Sequence, residues 1–290
     1  MVANIVKRLG LTGLAWIAAA SCGAAVAADL PPAPSYKAPV KVMAPAPSWT
    51  GFYIGGNVGY DWDSRTSGLS AVSTDPVLAP ALAAILAAGS YPASLSPSAS
   101  GVIGGGQIGY NWQMPSQWLI GLEADLQGSG IKGSASQTLT PVGFDVTSTS
   151  VTKGIDWFGT VRGRVGFLAT PQVLLYGTGG LAYGQTKSSF TTTDVTFGCI
   201  ANATLCANGS SSSVRAGWTA GAGAEAMLGS NWSAKLEYLY VDLGRYSPSI
   251  STSTLPAVVF FNTSAQFHEQ VVRVGLNYHF NWTGPVVAKY

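Results

Sequence analysis

Apolar and polar side chains alternate along several stretches of this chain, and Phe267–Phe280 shows the pattern most completely. One register is apolar or aromatic from Val272 on, and the other carries Glu269 and Arg273. Period-2 alternation predicts a β-strand with two chemically different faces. A strand of roughly 9–11 residues with aromatic ends fits a tilted crossing of a bilayer, whereas about 5–6 residues is usual in soluble sheets.

Seven further stretches show the same alternation, more weakly in the glycine-rich fifth of the eight. They are Phe52–Asp61, Val102–Trp112, Trp118–Gln127, Ile155–Ala169, Val173–Thr186, Val214–Leu228 and Trp232–Asp242. The connections alternate in length. The short ones contain turn-forming residues and are 113–117, 170–172 and 229–231; the long ones are 62–101, 128–154, 187–213 and 243–266. This order predicts an all-β fold, an eight-stranded antiparallel up-and-down transmembrane β-barrel with four long outer loops and three short periplasmic turns.

Composition supports a membrane surface. Only 10% of the residues are charged and 47% are hydrophobic, whereas soluble domains have about 25% charged residues. No long apolar run follows the N-terminus, so spanning helices do not explain the deficit. A soluble lipocalin-like barrel would turn its apolar face inward, but the opposed charges of the polar registers do not suit a dry pocket.

The N-terminus has the pattern of a secretory signal peptide over residues 1–27. Lys7 and Arg8 precede the apolar segment Leu9–Ala20, and cleavage is expected after Ala27 or Ala28. Cys22 raises the alternative of a lipoprotein signal, but the residues before it lack the usual leucine. Loss of residues 1–27 leaves equal numbers of cationic and anionic side chains, which gives no electrostatic case for nucleic acid.

Three segments follow the signal peptide. We expect a proline-rich periplasmic segment at 28–48, the outer-membrane barrel at 49–280 and a C-terminal extension at 281–290. The proline-rich segment is interpreted as a spacer, with a cell-wall or partner contact as the alternative. In the first long loop, Pro76–Ala88 predicts a short helix interrupted by Pro80, too short to span a bilayer.

Cys199 and Cys206 predict a disulfide, because two nearby cysteines in an exported chain are most simply joined. No histidine lies near them, so no metal site is expected. The glycine-rich stretches lie within β-patterns with no helix after them, so no nucleotide or other cofactor is expected.

The polar registers hold five anionic and five cationic side chains that would face the lumen. They are Glu123, Asp125, Arg162, Arg164, Arg215, Glu225, Lys235, Glu237, Glu269 and Arg273. An eight-stranded barrel is only just wide enough for side chains to fill, so we expect an ion-pair network that plugs it. The alternative is a narrow conduit whose pairs open.

Aromatic residues cluster near the short turns and the end of the last strand. Trp112, Trp118, Tyr176, Trp232, Tyr278 and Phe280 are therefore predicted to lie at the membrane interface. The two histidines, His268 and His279, lie toward opposite ends of one strand, too far apart to serve a single catalytic site. We expect no enzyme.

These stretches resemble a known family, the small outer-membrane immunogenic β-barrel proteins of alphaproteobacteria, which are similar to the membrane domain of outer membrane protein A. The residues that carry the resemblance are AADLP (27–31), WTGFYIGGNVGY (49–60), GGGQIGYNWQ (104–113), LIGLEADLQGSG (119–130), DWFGTVRGRVGF (156–167), LLYGTGGLAYG (174–184), GWTAGAGAEAML (217–228), SAKLEYLYVDLG (233–244) and VVRVGLNYHF (271–280). The resemblance implies a surface-exposed, antigenic barrel of the Gram-negative cell envelope. Such barrels often end on the final aromatic residue, whereas ten residues follow Phe280 here.

The sequence thus predicts a structural, surface-exposed protein of the cell outer membrane. A small-solute porin-like channel and an adhesin acting through its outer loops are the alternatives. The expected partners are outer-membrane lipid, lipopolysaccharide and the barrel-assembly machinery, with host or cell-wall contacts left open.

Overall fold

A computed structural model describes residues 48–63, 67–200, 205–247, 249–256 and 258–280. The chain divides into a unit Met1–Ala44 and a unit Pro45–Tyr290. The signal peptide, all but the last residue of the proline-rich segment, and the C-terminal extension lie outside the described residues.

The described residues of the second unit are mostly β-strand. In chain order the elements are β1 (Gly51–Asp63), β2 (Ser67–Ser73), α1 (Ala79–Ala87), β3 (Ser94–Leu95), β4 (Ala99–Gln113), β5 (Trp118–Leu139), β6 (Thr147–Thr170), β7 (Val173–Asp194), β8 (Ala207–Met227), β9 (Trp232–Tyr246), β10 (Ser249–Ser251) and β11 (Val259–His279).

Eight of these strands close into a barrel. β1, β4, β5, β6, β7, β8, β9 and β11 each pair antiparallel with the next, and β11 pairs back onto β1. Closure removes the free edges that a membrane cannot solvate. The predicted eight-stranded up-and-down barrel is therefore confirmed.

The period-2 pattern sorts side chains between lipid and lumen. In β11, Val274 and Leu276 are each 51% exposed on the outside, whereas Arg273 and Asn277, on the other register, are fully buried inside. A β-bulge between Ile155 and Trp157 breaks this alternation in β6. Ile155 therefore packs inside, although its spacing from Trp157 predicted the lipid face.

The strands continue well past the predicted segments. β6 has 24 residues, more than twice the roughly 9–11 that a bilayer crossing needs. The predicted long loop 128–154 thus becomes mostly paired strand, with only residues 140–146 connecting β5 to β6. Its serine- and threonine-rich sequence shows no alternation because neither face of such an extension touches lipid.

Smaller elements lie at the outer end. β2 and β10 pair with the extension of β11, and β3 pairs with β2. α1 forms in the predicted segment, but Pro80 lies in its first turn and does not interrupt it, because a proline there removes no helical hydrogen bond. Within the described residues, no helix is long and apolar enough to cross a membrane.

Candidate functional site: the barrel interior

A network of charged side chains fills the middle of the lumen. Four carboxylates and four cations take part, all of them at most 4% exposed: Glu123, Asp125, Glu225, Glu237, Arg162, Arg164, Lys235 and Arg273. They come from five strands, β5, β6, β8, β9 and β11. The network therefore connects opposite walls of the barrel.

Arg273 and Arg162 each pair with three carboxylates of the network. Arg273 donates from Nε to Glu237 Oε2 at 2.6 Å and from Nη2 to Asp125 Oδ2 at 3.0 Å. Arg162 donates to Glu237 at 2.9 Å and to Asp125 at 3.0 Å, and also pairs with Glu123. Charged groups in a dry interior are stable only when paired and hydrogen-bonded in this way.

Arg164 lies between two aromatic rings. Its guanidinium carbon is 5.0 Å from the ring centre of Tyr53 and 5.1 Å from that of Tyr176, within the range of cation–π attraction. Tyr53 also donates to Glu123 at 2.7 Å, and Tyr176 donates to Glu237 at 3.1 Å. The tyrosines therefore join the aromatic and ionic parts of the interior.

Glycines opposite these tyrosines make the arrangement fit. Tyr176 faces Gly223 across the β7–β8 pair, and a Cβ added to Gly223 would lie 2.7 Å from the ring. Tyr53 faces Gly109 across the β1–β4 pair, where a Cβ would also collide with the ring. The absent side chains let each ring lie flat over its neighbour.

Tyr176 corrects one sequence-based assignment, because it was predicted at the membrane interface and is 5% exposed inside the lumen. The stretch around it is apolar in both registers, so alternation could not orient it. The other five predicted interface residues point outward near the short turns, and they are Trp112, Trp118, Trp232, Tyr278 and Phe280. Several touch one another, such as Trp232 and Tyr278 with ring centres 5.2 Å apart.

Two predicted network residues lie elsewhere. Arg215 is on the inward register of β8, and its guanidinium donates to the backbone oxygens of Leu243 and Arg245. Glu269 is buried farther out along the lumen, beside Asp61.

This second layer, the outer acid layer, consists of Asp61, Asp63, Glu269 and Lys153, all at most 5% exposed. Lys153 pairs with Asp63. The Asp61 and Glu269 carboxyl groups face each other at hydrogen-bonding range, and among the described residues neither Asp61 oxygen has a hydrogen-bond partner apart from Glu269. Sequence reasoning left Asp63 and Lys153 out because both lay in stretches interpreted as loops.

Clusters of buried apolar residues lie on both sides of these layers. On the periplasmic side, Trp49 is fully buried among Leu119, Leu168 and Leu174, and its indole N–H donates to Pro171 O at 3.1 Å. Sequence reasoning treated Trp49 only as the start of the pattern. The signal that could have revealed its buried position was a bulky indole side chain just ahead of the first strand.

On the outer side, Tyr91, Val151, Phe190 and Phe261 pack together beneath the outer loops. Tyr91 donates to Leu205 O at 3.0 Å. Burial raises the pKa of the Tyr91 phenol above its usual range, and the nearby carboxylates of Asp194 and Asp145 act in the same direction. The phenol therefore remains a neutral hydrogen-bond donor.

The remaining chemistry-bearing residues lie at three places, and one of them, His279, contacts the central network, with its Nε2 3.5 Å from Glu225 Oε1. Cys199 and Cys206 form a disulfide with Cα atoms 5.7 Å apart. His279 is buried beside Ser233, with Nε2 and Oγ 2.8 Å apart, and its ring meets the edge of Trp49. His268 lies 3.2 Å from Asp242 toward the outer end of β11.

Comparison with known proteins places this barrel in a family. Residues 15–280 match the model of the outer membrane protein beta-barrel domain, and the chain belongs to that family. It is an integral protein of the outer membrane.

Two relatives are outer-membrane immunogenic proteins. The 31 kDa outer-membrane immunogenic protein of Brucella melitensis is 38% identical over 272 residues, covering 92% of this chain and 98% of the relative. The 25 kDa outer-membrane immunogenic protein of Brucella abortus is 28% identical, covering 87% of each chain. Among solved structures, OprG of Pseudomonas aeruginosa aligns over 81% of this chain and 99% of its own with 11% identity and a TM-score of 0.41, too low to carry an argument.

Proposed function

We propose that this protein is a structural, surface-exposed and antigenic barrel that serves the integrity of the cell envelope, and that its lumen is plugged. The observation that carries the proposal is the central network, whose charges are paired and nearly fully buried between two apolar clusters. Moving hydrated solute through it would require several desolvated pairs to separate, each at a cost of several kcal/mol.

Liposome swelling with sugars of graded size tests the plug. Wild-type protein should admit none of the sugars, with a general porin as the positive reference. A matched variant, Glu237→Ala with Arg273→Ala, removes one anion and one cation together and should produce a leak for the smallest sugars. Swelling of wild-type vesicles as large as that of the variant would favour the porin-like alternative.

The plug proposal includes the absence of catalysis. His279 and Ser233 are each at most 2% exposed, so a substrate could not reach them. His268 has Asp242 as its ionic neighbour. Lipid hydrolysis or acyl transfer by purified protein that disappears in His268→Ala would contradict this part.

An adhesin is the second candidate, and the outer tips favour it. Val142 is 99% exposed and Phe197 is 63% exposed, on neighbouring connections joined by the Val195 N–H to Val146 O hydrogen bond. Exposed apolar residues close together on an outer surface suit protein contact. Chimeras that exchange residues 140–146 and 195–206 test it in a cell-binding assay, because binding that stays with the strands would count against it.

A further inference from the structure

The outer wall of the barrel carries a cleft of about 360 Å³ across β5, β6, β7 and β8, lined mostly by serine, threonine and charged residues. Lys132 and Lys187 border it, on strands separated only by β6, where Gly154 lies between them in the hydrogen-bonding register. Adjacent strands are about 4.8 Å apart, so the two lysine backbones stand roughly 10 Å apart with a residue lacking a side chain between them. Both ammonium groups can therefore reach one anion.

The lysines are distributed unevenly over the molecule. The described residues contain four of them, and Lys153 and Lys235 are buried inside the lumen in ion pairs. The other two, Lys132 and Lys187, are exposed and border this one cleft. The outer surface carries few charges, and the two exposed lysines of the described residues both lie at this cleft.

Hydroxyl groups continue the cleft away from the membrane. Thr152, Ser189 and Ser210 are in consecutive register across β6, β7 and β8, and Ser212 pairs with Lys187. Hydroxyl groups donate to and accept from sugar and phosphate oxygens alike. The cleft therefore suits a ligand that carries both.

Aromatic residues lie immediately toward the membrane. Trp157 donates to the Gln185 side chain at 3.0 Å, and its ring centre is 6.2 Å from that of Tyr183. Tryptophan and tyrosine mark the headgroup level of membrane proteins. Leu181, 66% exposed, faces lipid below them. The lysines therefore stand at the depth of the outer-leaflet headgroups.

We propose that this cleft binds the phosphate and sugar headgroup of a phosphorylated glycolipid of the outer leaflet, such as lipid A. Lys132 and Lys187 would donate charge-assisted hydrogen bonds to one phosphate, and the hydroxyl row would contact the sugar. Asp156, which pairs with Lys187 at the surface, opposes the anion and lowers the affinity. The proposal requires the outer-membrane location and is independent of whether the lumen conducts.

The test measures binding of lipid A to refolded full-length protein in nanodiscs by native mass spectrometry, with dephosphorylated lipid A as the comparison. Lys132→Gln with Lys187→Gln should weaken binding of the phosphorylated lipid about tenfold. Arg245→Gln, which removes an exposed cation on β9, is the matched control and should leave binding unchanged. Asp156→Asn should strengthen binding, and this gain cannot come from misfolding.

Several outcomes would overturn the proposal. One is equal binding by wild type and the double lysine variant, and another is an equal loss with the dephosphorylated lipid or in the Arg245→Gln control. Failure of Asp156→Asn to strengthen binding would also count against it. Displacement of the lipid by inorganic phosphate at a similar concentration would mean that the cleft binds a free anion and not a lipid headgroup.

Discussion

The two charged layers of the lumen use the same residue types in different proportions. In the central network, carboxylates and cations are equal in number, and Arg273 and Arg162 each reach three of the carboxylates. The outer acid layer has three carboxyl groups and one ammonium group, which pairs with Asp63. Balance lets a charge be buried with its partners, whereas carboxyl groups that face each other repel when both are ionised. Removing a charge from the central network should therefore destabilise the barrel, whereas removing a carboxylate from the outer acid layer should stabilise it.

The largest effect is expected from Arg273→Met, which keeps much of the side-chain volume and removes the charge. It leaves buried carboxylates short of a cation and should lower the free energy of unfolding by about 3–5 kcal/mol. Urea unfolding of the refolded barrel in lipid vesicles, followed by its gel mobility, measures this. Arg245→Met makes the same change at an exposed position and should stay within about 0.5 kcal/mol. Equal losses in the two variants would show that the network does not stabilise the barrel.

A smaller loss should follow from Gly223→Ala, which perturbs the network without changing its charge. The added methyl group displaces the Tyr176 ring from Arg164 and should cost about 1–3 kcal/mol, as overpacking does. Gly163→Ala is the matched control, because a Cβ there points outward with its nearest atom 3.9 Å away. The same unfolding assay should separate the two, and equal midpoints would contradict the packing described here.

The smallest effect should have the opposite sign. Glu269→Gln gives Asp61 an amide donor in place of a facing carboxyl group, and should raise the free energy of unfolding by about 1 kcal/mol. Glu237→Gln makes the same substitution in the balanced layer and should destabilise. If both substitutions destabilise, the contrast between the layers is wrong.

Sequence reasoning succeeded where lipid lies on one face and a polar lumen on the other. The alternation around Arg273 and Val274 therefore identified a strand and both of its faces. It failed where that contrast disappears. Ile155 lies beside a bulge that shifts the register, and Tyr176 lies in a stretch that is apolar on both faces. Lys153 belongs to a strand extension beyond the hydrocarbon core of the bilayer, where the outer face is polar and alternation is not required.

The central network shows the same limit. Charged residues on polar registers could be selected from the sequence, but their partners depend on how strands meet across the lumen. Arg215 and Glu269 fit the selection, yet they lie too far along the barrel from the network. Trp49 precedes the first strand, so a strand pattern gives it no role, although it is fully buried in the apolar cluster at the periplasmic end.

Single-channel recording of the purified monomer in planar lipid bilayers tests the plugged lumen most directly. The paired and buried charges between Trp49 and Phe261 predict no steady conductance across the usual range of applied voltage. A large, steady and reproducible conductance from the wild-type monomer would contradict the account, because water and ions would then have a continuous path through the network.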